Sequence, residues 1–271
     1  MSAWILNEGN GIAYYTIEEW RQAGADIAFS TRTGGSSTGA FNSANMGLHV
    51  EDEQERVISN REKFLANVRL ELGQAVCCRQ VHGDRIIRVD KQHQGRGAYL
   101  YDSSLPDYDG FVTNQPGVAL FSFYADCVPI YLFDPDNRAI GMVHSGWKGT
   151  MQRIAEKAVT IMQKEYGSQT GELWAAIGPG IGDCCFEISP VLADEVKINF
   201  PDFEDIINYE SGRCCWNLTL TLWQMLVKTG INPDNISICS LCTACNPDLF
   251  FSYRRDKGMT GRMGALLNLT Y

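Results

Sequence analysis

The chain has 271 residues, of which 45% are hydrophobic and 20% are charged, and its formal net charge at pH 7 is −9. This length allows one large domain or two small ones, with a sizeable hydrophobic core. The acidic charge argues against general binding to nucleic acids or anionic membranes, although a local basic pocket for phosphate stays compatible with it.

The termini and the cysteines narrow the class of protein. No stretch offers about eighteen consecutive apolar residues, so no membrane span is predicted. The N-terminal sequence lacks the basic and apolar regions of a signal peptide, so we expect a cytoplasmic protein. Ten cysteines would indicate a disulfide framework only in a small secreted chain. No repeat or long linker divides the sequence, and we expect one domain over residues 1–271 and a monomer.

The first predicted strand leads into a candidate phosphate site. Residues 26–33 have the pattern of a short strand that ends at Arg32, and a Gly/Ser-rich loop with Gly34 and Gly35 follows. Successive backbone amides in such a loop can form an anion-binding nest, and Arg32 beside it could complete a phosphate site. The alternative is an ordinary turn.

The remaining elements follow from periodicity and turn signals. Apolar residues at helical spacing and an acidic first turn predict a helix over 52–68. Further helices are predicted from Gly149 to about Tyr166 and near 190–199 and 217–229. Further strands are predicted in 75–90 (two strands about Gly83-Asp84) and at 118–124, 174–177, 235–240, 249–254 and 263–270. Hairpin-linked strands that alternate irregularly with helices favour an α+β fold built on a mixed sandwich.

A predicted hairpin holds the central stretch of the chain. Two apolar runs, 128–133 and 139–143, flank the turn-forming sequence DPDN at 134–137. If the turn centres between Pro135 and Asp136, Cys127 lies directly opposite His144, with Cβ atoms about 4.5–5.5 Å apart. A three-residue loop would instead place Cys127 opposite Ser145.

Three potential metal ligands lie at predicted strand ends. They are His82, Cys127 and His144, two of them drawn from only four histidines in the chain. Two histidines and one cysteine form a ligand set that leaves a fourth zinc position open for water or substrate. The alternative is a buried cysteine with hydrogen-bonded histidines. The other two histidines, His49 and His93, are predicted to lie on the surface.

The remaining cysteines form a second candidate group. Cys239, Cys242 and Cys245 have a C-x-x-C-x-x-C spacing that resembles part of an iron–sulfur or zinc-ribbon pattern, but it lacks a fourth thiolate. The adjacent pairs at 77–78, 184–185 and 214–215 would point to opposite faces of a strand, so no pair is expected to chelate one metal ion. We interpret these cysteines as mainly structural.

Three motifs in order carry a family resemblance. RQVHG at 79–83, ADCVPI at 125–130 and HSGWKG at 144–149 resemble the laccase-domain (YfiH-like) family, formerly described as polyphenol oxidoreductases and now as purine nucleoside phosphorylases. STRTGG at 30–35, NMG at 45–47, NR at 60–61, AIGP at 176–179 and FFSYRRD at 250–256 extend the resemblance from about residue 27 to the C-terminus.

The resemblance implies a fold and an activity. The fold would be a single domain over 1–271, with four layers, α/β/β/α, around a mixed β-sandwich that is shared distantly with toxin deamidases. A metal, zinc before copper, would be held by His82, Cys127 and His144. The activity would be phosphorolysis of adenosine, inosine and S-methyl-5'-thioadenosine with inorganic phosphate, and adenosine deamination would be a second activity.

Catalytic roles are assigned on the same basis. Phosphorolysis passes through an oxocarbenium-like state, and phosphate is predicted to contact Arg32, Gly34 and Gly35, with Lys148 as a further cation. Asp126 is the predicted acid or base on the purine, provided that its side chain points inward. In deamination a metal-activated hydroxide attacks the purine C6.

Other functions compete with this assignment. Copper oxidase chemistry requires a histidine-rich cluster, for which four histidines are too few. A metal-free cysteine hydrolase or deamidase would use Cys127 as nucleophile and His144 as base. A zinc-stabilised binding module would have a closed four-ligand site that recruits another cysteine.

Overall fold

The structure is a computed structural model, and it describes residues 3–8, 11–210 and 212–270. Its strands are β1 (Ile5–Asn7), β2 (Tyr14–Thr16), β3 (Ala25–Ser30), β4 (Ala75–Val76), β5 (Ile86–Arg88), β6 (Gly110–Thr113), β7 (Ala119–Tyr124), β8 (Val128–Asp134), β9 (Ala139–Ser145), β10 (Trp174–Ile177), β11 (Ile207–Glu210), β12 (Arg213–Trp216), β13 (Ile236–Ile238) and β14 (Met263–Leu269). Its α-helices are α1 (Glu18–Ala23), α2 (Gln54–Ala66), α3 (Trp147–Met151), α4 (Ile154–Tyr166), α5 (Pro190–Asn199) and α6 (Leu218–Lys228).

Two six-stranded sheets form the centre of the fold. The first has the order β1-β2-β3-β14-β7-β4 and the second the order β13-β10-β8-β9-β6-β5, while β11 and β12 form a separate ribbon. Each large sheet is mixed, because β4–β7, β5–β6 and β10–β13 pair in parallel whereas the other neighbours are antiparallel. Among the described residues, no helix is long and apolar enough to cross a membrane.

Alternating side chains of the strands build three core layers. In β8, Ile130 and Leu132 pack towards α4 and α6, whereas Tyr131 and Phe133 pack between the two sheets. Helix α2 covers the outer face of the first sheet through Phe64. Successive strand residues point to opposite faces, so a strand covered on both sides is buried throughout. The predicted α+β class and the α/β/β/α layers are confirmed.

The predicted hairpin is confirmed, but both predicted registers are wrong. Val128 pairs with Ser145 and Pro129 with His144, so the register differs by two residues from direct opposition of Cys127 and His144. The physical reason is a four-residue loop between Asp134 and Ala139, in which the Asp134 carboxylate accepts hydrogen bonds from the Asn137 amide and side chain. A shift of two residues keeps every side chain on its predicted face.

Some predicted elements end early or break. The helix predicted to Tyr166 divides into α3 and α4 at Arg153, whose φ is 60°. The two strands within 75–90 belong to different sheets. Residues 249–254 form turns and loops instead of a strand. The Asp256 carboxylate accepts hydrogen bonds from the Ser252 amide, Arg255 Nε and Thr260 Oγ1, and these bonds stabilise the turn conformation.

Candidate active site

His82, Cys127 and His144 come together at one end of the second sheet. Each offers a potential ligand atom, and these atoms all lie within 4.8 Å of one another. Cys127 directly precedes β8 and His144 lies in β9, where the observed register makes them diagonal neighbours on one face. Gly146 leaves room for the cluster, because an added Cβ there would lie 2.8 Å from Cys127 Sγ.

Asp109 fixes both histidines. Its buried carboxylate accepts a hydrogen bond of 2.8 Å from His144 Nδ1, and this leaves Nε2 as the atom available to a metal. The same carboxylate accepts the backbone N–H groups of Val81, His82 and Gly83 at 2.8–3.1 Å. These bonds hold the loop in which His82 has a φ of 60°. Asp109 was not among the residues assigned to the site from the sequence.

The electrostatics of the cluster favour a thiolate. Burial alone would raise the pKa of Cys127, but His144 and His82 outweigh it and lower that pKa to about 6. Burial alone would lower the pKa of His144, whereas Cys127 and Asp109 raise it to about 9. At Asp109, the hydrogen bonds from His144 and the amides of Gly83 and Val81 outweigh burial and lower the pKa. The cluster therefore holds a nucleophilic or metal-binding sulfur at neutral pH.

The cluster opens into a cavity of about 550 Å³. His82 is exposed, Cys127 is half-buried and His144 is buried, so one side of the cluster faces this space. The aromatic side chains of Phe123, Phe186 and Tyr253 contribute apolar wall, and three cations, Lys148, Arg254 and Arg262, contribute charge. A cavity of this size and character suits a small organic ligand with a few polar groups.

Asp126 lies in the cavity wall beside Cys127. Its carboxylate accepts hydrogen bonds of 2.7 Å from Thr243 Oγ1 and from the Arg254 amide, and its φ is 86°. Both carboxylate oxygens thus join neighbouring loops to the start of β8. The acid–base role of Asp126 stays a prediction.

Only one of the four residues predicted to bind phosphate lines the cavity. Lys148 lines the cavity, whereas Arg32, Gly34 and Gly35 are not among its lining residues. The Arg32 guanidinium donates to the carbonyl oxygens of Asn42 and Pro247 and stacks on Phe251. The Gly35 amide donates to Ser43 Oγ. Their phosphate role stays a prediction, and the cavity cation Arg262 was not assigned to the site from the sequence.

The remaining histidines and cysteines are placed as follows. His49 is exposed, as predicted, and lines the cavity. His93 is half-buried, and its Nδ1 is hydrogen-bonded to the Asp90 carboxylate. Cys184 and Cys185 lie in a turn, and their sulfur atoms meet those of Cys242 and Cys245. The expectation that 184–185 cannot share one metal site is therefore wrong, because it assumed a strand. Cys239 is buried and is not a member of this group.

This fold and this cluster define a class: a layered α/β sandwich with a two-histidine, one-cysteine site at the mouth of a small-molecule cavity. Residues 26–270 match the sequence model of the family described as multi-copper polyphenol oxidoreductase laccase, and the chain belongs to that family.

Several relatives and solved structures are similar over most of the chain. The protein named purine nucleoside phosphorylase YlmD from Geobacillus stearothermophilus is 37% identical over 90% of both chains. The human protein named purine nucleoside phosphorylase LACC1 is 32% identical over 84% of this chain and 52% of its own length. The crystal structure of the Geobacillus YlmD superposes with a TM-score of 0.94, with all of both chains covered and 34% identity. The crystal structure of YfiH from Bacillus licheniformis gives a TM-score of 0.92 over 98% of this chain and 99% of its own, at 36% identity.

The donor set fits a metal ion. A thiolate-prone cysteine and two imidazoles converge, one imidazole is oriented by a carboxylate, and the cluster faces a cavity. Three protein ligands with an open position are the arrangement of catalytic zinc sites, and the Asp109–His144 pair is the usual outer support of such a ligand.

Proposed function

We propose that this chain is a purine nucleoside phosphorylase that acts as one domain over residues 1–271. The observation that carries the proposal is the 37% identity, over 90% of both chains, to a protein named a purine nucleoside phosphorylase. The cavity of about 550 Å³ has room for a nucleoside. The proposed substrates are adenosine, inosine and S-methyl-5'-thioadenosine together with inorganic phosphate. A cytoplasmic location and a monomeric state stay predictions.

In the proposed reaction, a phosphate oxygen bonds to the anomeric carbon while the bond from that carbon to the purine nitrogen breaks. The products are the free base and the sugar 1-phosphate, which is ribose 1-phosphate from adenosine or inosine and the 5-methylthio derivative from S-methyl-5'-thioadenosine, and the departing nitrogen takes up a proton. Positive charge on the sugar and negative charge on the phosphate both need compensation in this oxocarbenium-like transition state. The site therefore needs cations for phosphate and an apolar wall for the purine.

Arg262 and Lys148 are the proposed phosphate cations. Arg262 Nη1 donates to the carbonyl oxygens of Thr260 and Gly261, which fixes the plane of the guanidinium at the cavity wall. Burial lowers the pKa of Arg262, and attraction to the Cys127 thiolate offsets part of this shift. This attraction connects Arg262 to the histidine–cysteine cluster. Lys148 is exposed and belongs to the same HSGWKG motif as His144. A guanidinium grips two phosphate oxygens, and an ammonium adds a movable point charge.

Aromatic side chains are proposed to hold the purine. Phe123, Phe186 and Tyr253 line the cavity, and Arg262 lies 5.9 Å from the Tyr253 ring centroid. Ring stacking against such side chains binds a planar base and displaces water from the bond that breaks. Holding the two reactants in one dry cavity lowers the barrier by removing their relative motion.

His82, Cys127 and His144 would hold one zinc ion. When bound, zinc would supply a Lewis acid that polarises a substrate atom in the cavity. Within the protein, Asp109 keeps the proton on His144 Nδ1, so that Nε2 faces the cluster. Asp126 holds the start of β8 and hence Cys127 through its bonds to Thr243 and Arg254.

Adenosine deamination is proposed as a second activity of the same site. The observation in its favour is the mixed histidine and cysteine donor set at an open cavity. That ligand type is used by zinc-dependent nucleobase deaminases. Such a reaction consumes water and releases ammonia, and it needs no phosphate.

The decisive experiment is chromatography of inosine incubations with and without inorganic phosphate. Phosphorolysis predicts hypoxanthine and ribose 1-phosphate only when phosphate is present. Equal hypoxanthine release in both incubations would mean hydrolysis. No release in either would favour a metal-free cysteine hydrolase based on Cys127 and His144. Adenosine incubated without phosphate tests deamination through the appearance of inosine.

A further inference from the structure

Four cysteines form a second cluster outside the active site. Cys184 and Cys185 lie in the turn after β10, and Cys242 and Cys245 lie in the turn after β13. Cys245 Sγ is 3.5 Å from Cys184 Sγ and 3.3 Å from Cys185 Sγ. All four sulfur atoms lie within 4.8 Å of one another. Four convergent thiols from two separate turns are the donor set of a structural metal site.

We propose that Cys184, Cys185, Cys242 and Cys245 bind one zinc ion in a closed tetrahedral site. With zinc–sulfur bonds of about 2.3 Å, a regular tetrahedron has sulfur atoms about 3.8 Å apart. The separations of 3.3 and 3.5 Å lie slightly below this value, and every other pair of sulfur atoms in the cluster lies within 4.8 Å. A [4Fe–4S] cluster holds its thiolates on different irons and so spreads them further apart than a single ion does.

A backbone amide beside the cluster supports a thiolate ligand. The Gly182 amide donates to Cys242 Sγ at 3.2 Å. Amide donors to ligand sulfurs are a common outer support of metal sites. An added Cβ at Gly182 would lie 3.2 Å from Cys184 Sγ and 3.2 Å from the Cys242 Cβ. Glycine therefore allows the turn to approach the sulfurs closely.

Two cations lie against the backbone of the cluster. Arg254 Nη1 donates to the carbonyl oxygens of Cys185 and Glu187, and Arg213 Nη1 lies 3.5 Å from the carbonyl oxygen of Cys184. One zinc ion with four thiolates carries a net charge of −2. Nearby guanidinium groups offset part of this charge.

The proposed ion would join two loops that reach the active site. The Thr243 amide, next to Cys242, donates to the carbonyl oxygen of Gly180, and Thr243 Oγ1 donates to Asp126. Arg254 links the cluster to Asp126 from the other side through its own amide. A closed metal site here would fix the cavity wall next to Cys127 without contacting substrate.

Zinc content of protein purified without added metal tests the proposal. We expect two zinc equivalents in the parent chain and one in the Cys184→Ser/Cys245→Ser variant. Both cysteines are exposed, so this double substitution removes little core packing. Cys239→Ser is the matched control, since it belongs to the same C-x-x-C-x-x-C sequence but not to the cluster, and it should retain both equivalents.

Cobalt substitution distinguishes the two sites spectroscopically. His82→Ala protein loaded with Co²⁺ should show the intense thiolate-to-cobalt absorption of a tetrathiolate site, and adding Cys184→Ser/Cys245→Ser should remove it. Unchanged zinc in the double cysteine variant would overturn the proposal. So would stoichiometric iron with acid-labile sulfide, or four cysteines found as disulfides in freshly purified protein.

Discussion

His82 is the exposed member of the histidine–cysteine cluster, and it lies on a loop outside the core. His82→Ala should lower the zinc content by one equivalent because two remaining ligands hold zinc poorly. The fold should persist, since the side chain is exposed and the loop backbone is held by Asp109. Elemental analysis with circular dichroism measures both. Unchanged zinc with an intact fold would contradict the assignment of His82.

Asp109 makes a different contribution, because it touches both histidine segments at once. Each Asp109 oxygen accepts two of the four N–H groups that face it, so Asp109→Asn, which replaces one acceptor oxygen by a donor, leaves two of them without a partner. We expect a fall of about 10–100-fold in zinc affinity at the active site. Competition with a chromophoric chelator measures this affinity. An affinity equal to that of the parent protein would mean that Asp109 only stabilises the loop.

Arg262 and Arg32 provide a matched pair for the phosphate site. Arg262→Lys should remove about 2–4 kcal/mol of transition-state stabilisation from phosphorolysis, which would appear as a lower kcat/KM for phosphate. Deamination, which uses no phosphate, should be affected far less. Arg32→Lys should change neither reaction selectively, because Arg32, unlike Arg262, is not among the residues that line the cavity and its guanidinium is bonded to the carbonyl oxygens of Asn42 and Pro247. Both rates are measured on the same preparation. A selective loss of phosphorolysis in Arg32→Lys would restore the phosphate site predicted at Arg32, Gly34 and Gly35.

At the scale of elements, the hairpin β8–β9 shows what a sequence pattern determines. Alternation determines which face Cys127 and His144 share, so this relation survived an error of two residues in the register. The loop length was not determined, because the side-chain bonds of Asp134 extend the turn. The break between α3 and α4 could not be predicted either, because Arg153 adopts a left-handed backbone conformation and the neighbouring sequence contains no signal for it.

The Gly/Ser loop after β3 is expected to act in packing. Gly34 has a φ of +88°, and an added Cβ would lie 1.5 Å from the Gly11 carbonyl oxygen, whereas Gly39 has a φ of +60° and open space around it. Gly39→Ala should therefore cost about 1 kcal/mol of unfolding free energy. Gly34→Ala should cost about 3 kcal/mol or more, because strain and a backbone clash add. Urea denaturation measures both, and equal losses would contradict this packing role.

At the scale of the whole molecule, the layers and the histidine–cysteine cluster were predictable because motifs along the chain resemble those of a known family, whose fold and site the resemblance implies. Asp109 was not, since its partners Val81 to Gly83 lie 26 to 28 residues earlier. The four-cysteine cluster was hidden for the same reason, because its two turns are 60 or 61 residues apart. Contacts between distant loops depend on the completed fold, and local spacing carries no signal for them.

The buried thiol of Cys77 makes the stability of the folded chain depend on pH in the alkaline range. Burial raises the pKa of Cys77 to about 11 from its ordinary value of 9.0. The folded chain therefore keeps a proton that the unfolded chain releases, and the unfolding free energy falls as the pH rises between these values. Below pH 9 this contribution is fully present.

Relative to the parent protein, Cys77→Ala should gain about 2–3 kcal/mol of unfolding free energy between pH 8 and pH 11. Denaturant titrations at several pH values measure the difference between the two proteins. A difference that is independent of pH would mean that Cys77 ionises normally in the folded chain.

The loop that carries His82 is organised by a carboxylate of its own protein. Three consecutive amides point at Asp109, although the loop itself is largely open to solvent. Such amides should exchange their hydrogens slowly, as if they lay inside a sheet. A metal ion that binds at the proposed site would meet side chains that are already ordered, so little conformational entropy would be lost on binding. We therefore expect that removing the ion leaves the chain folded, unlike the zinc of a finger domain, whose loss unfolds its host.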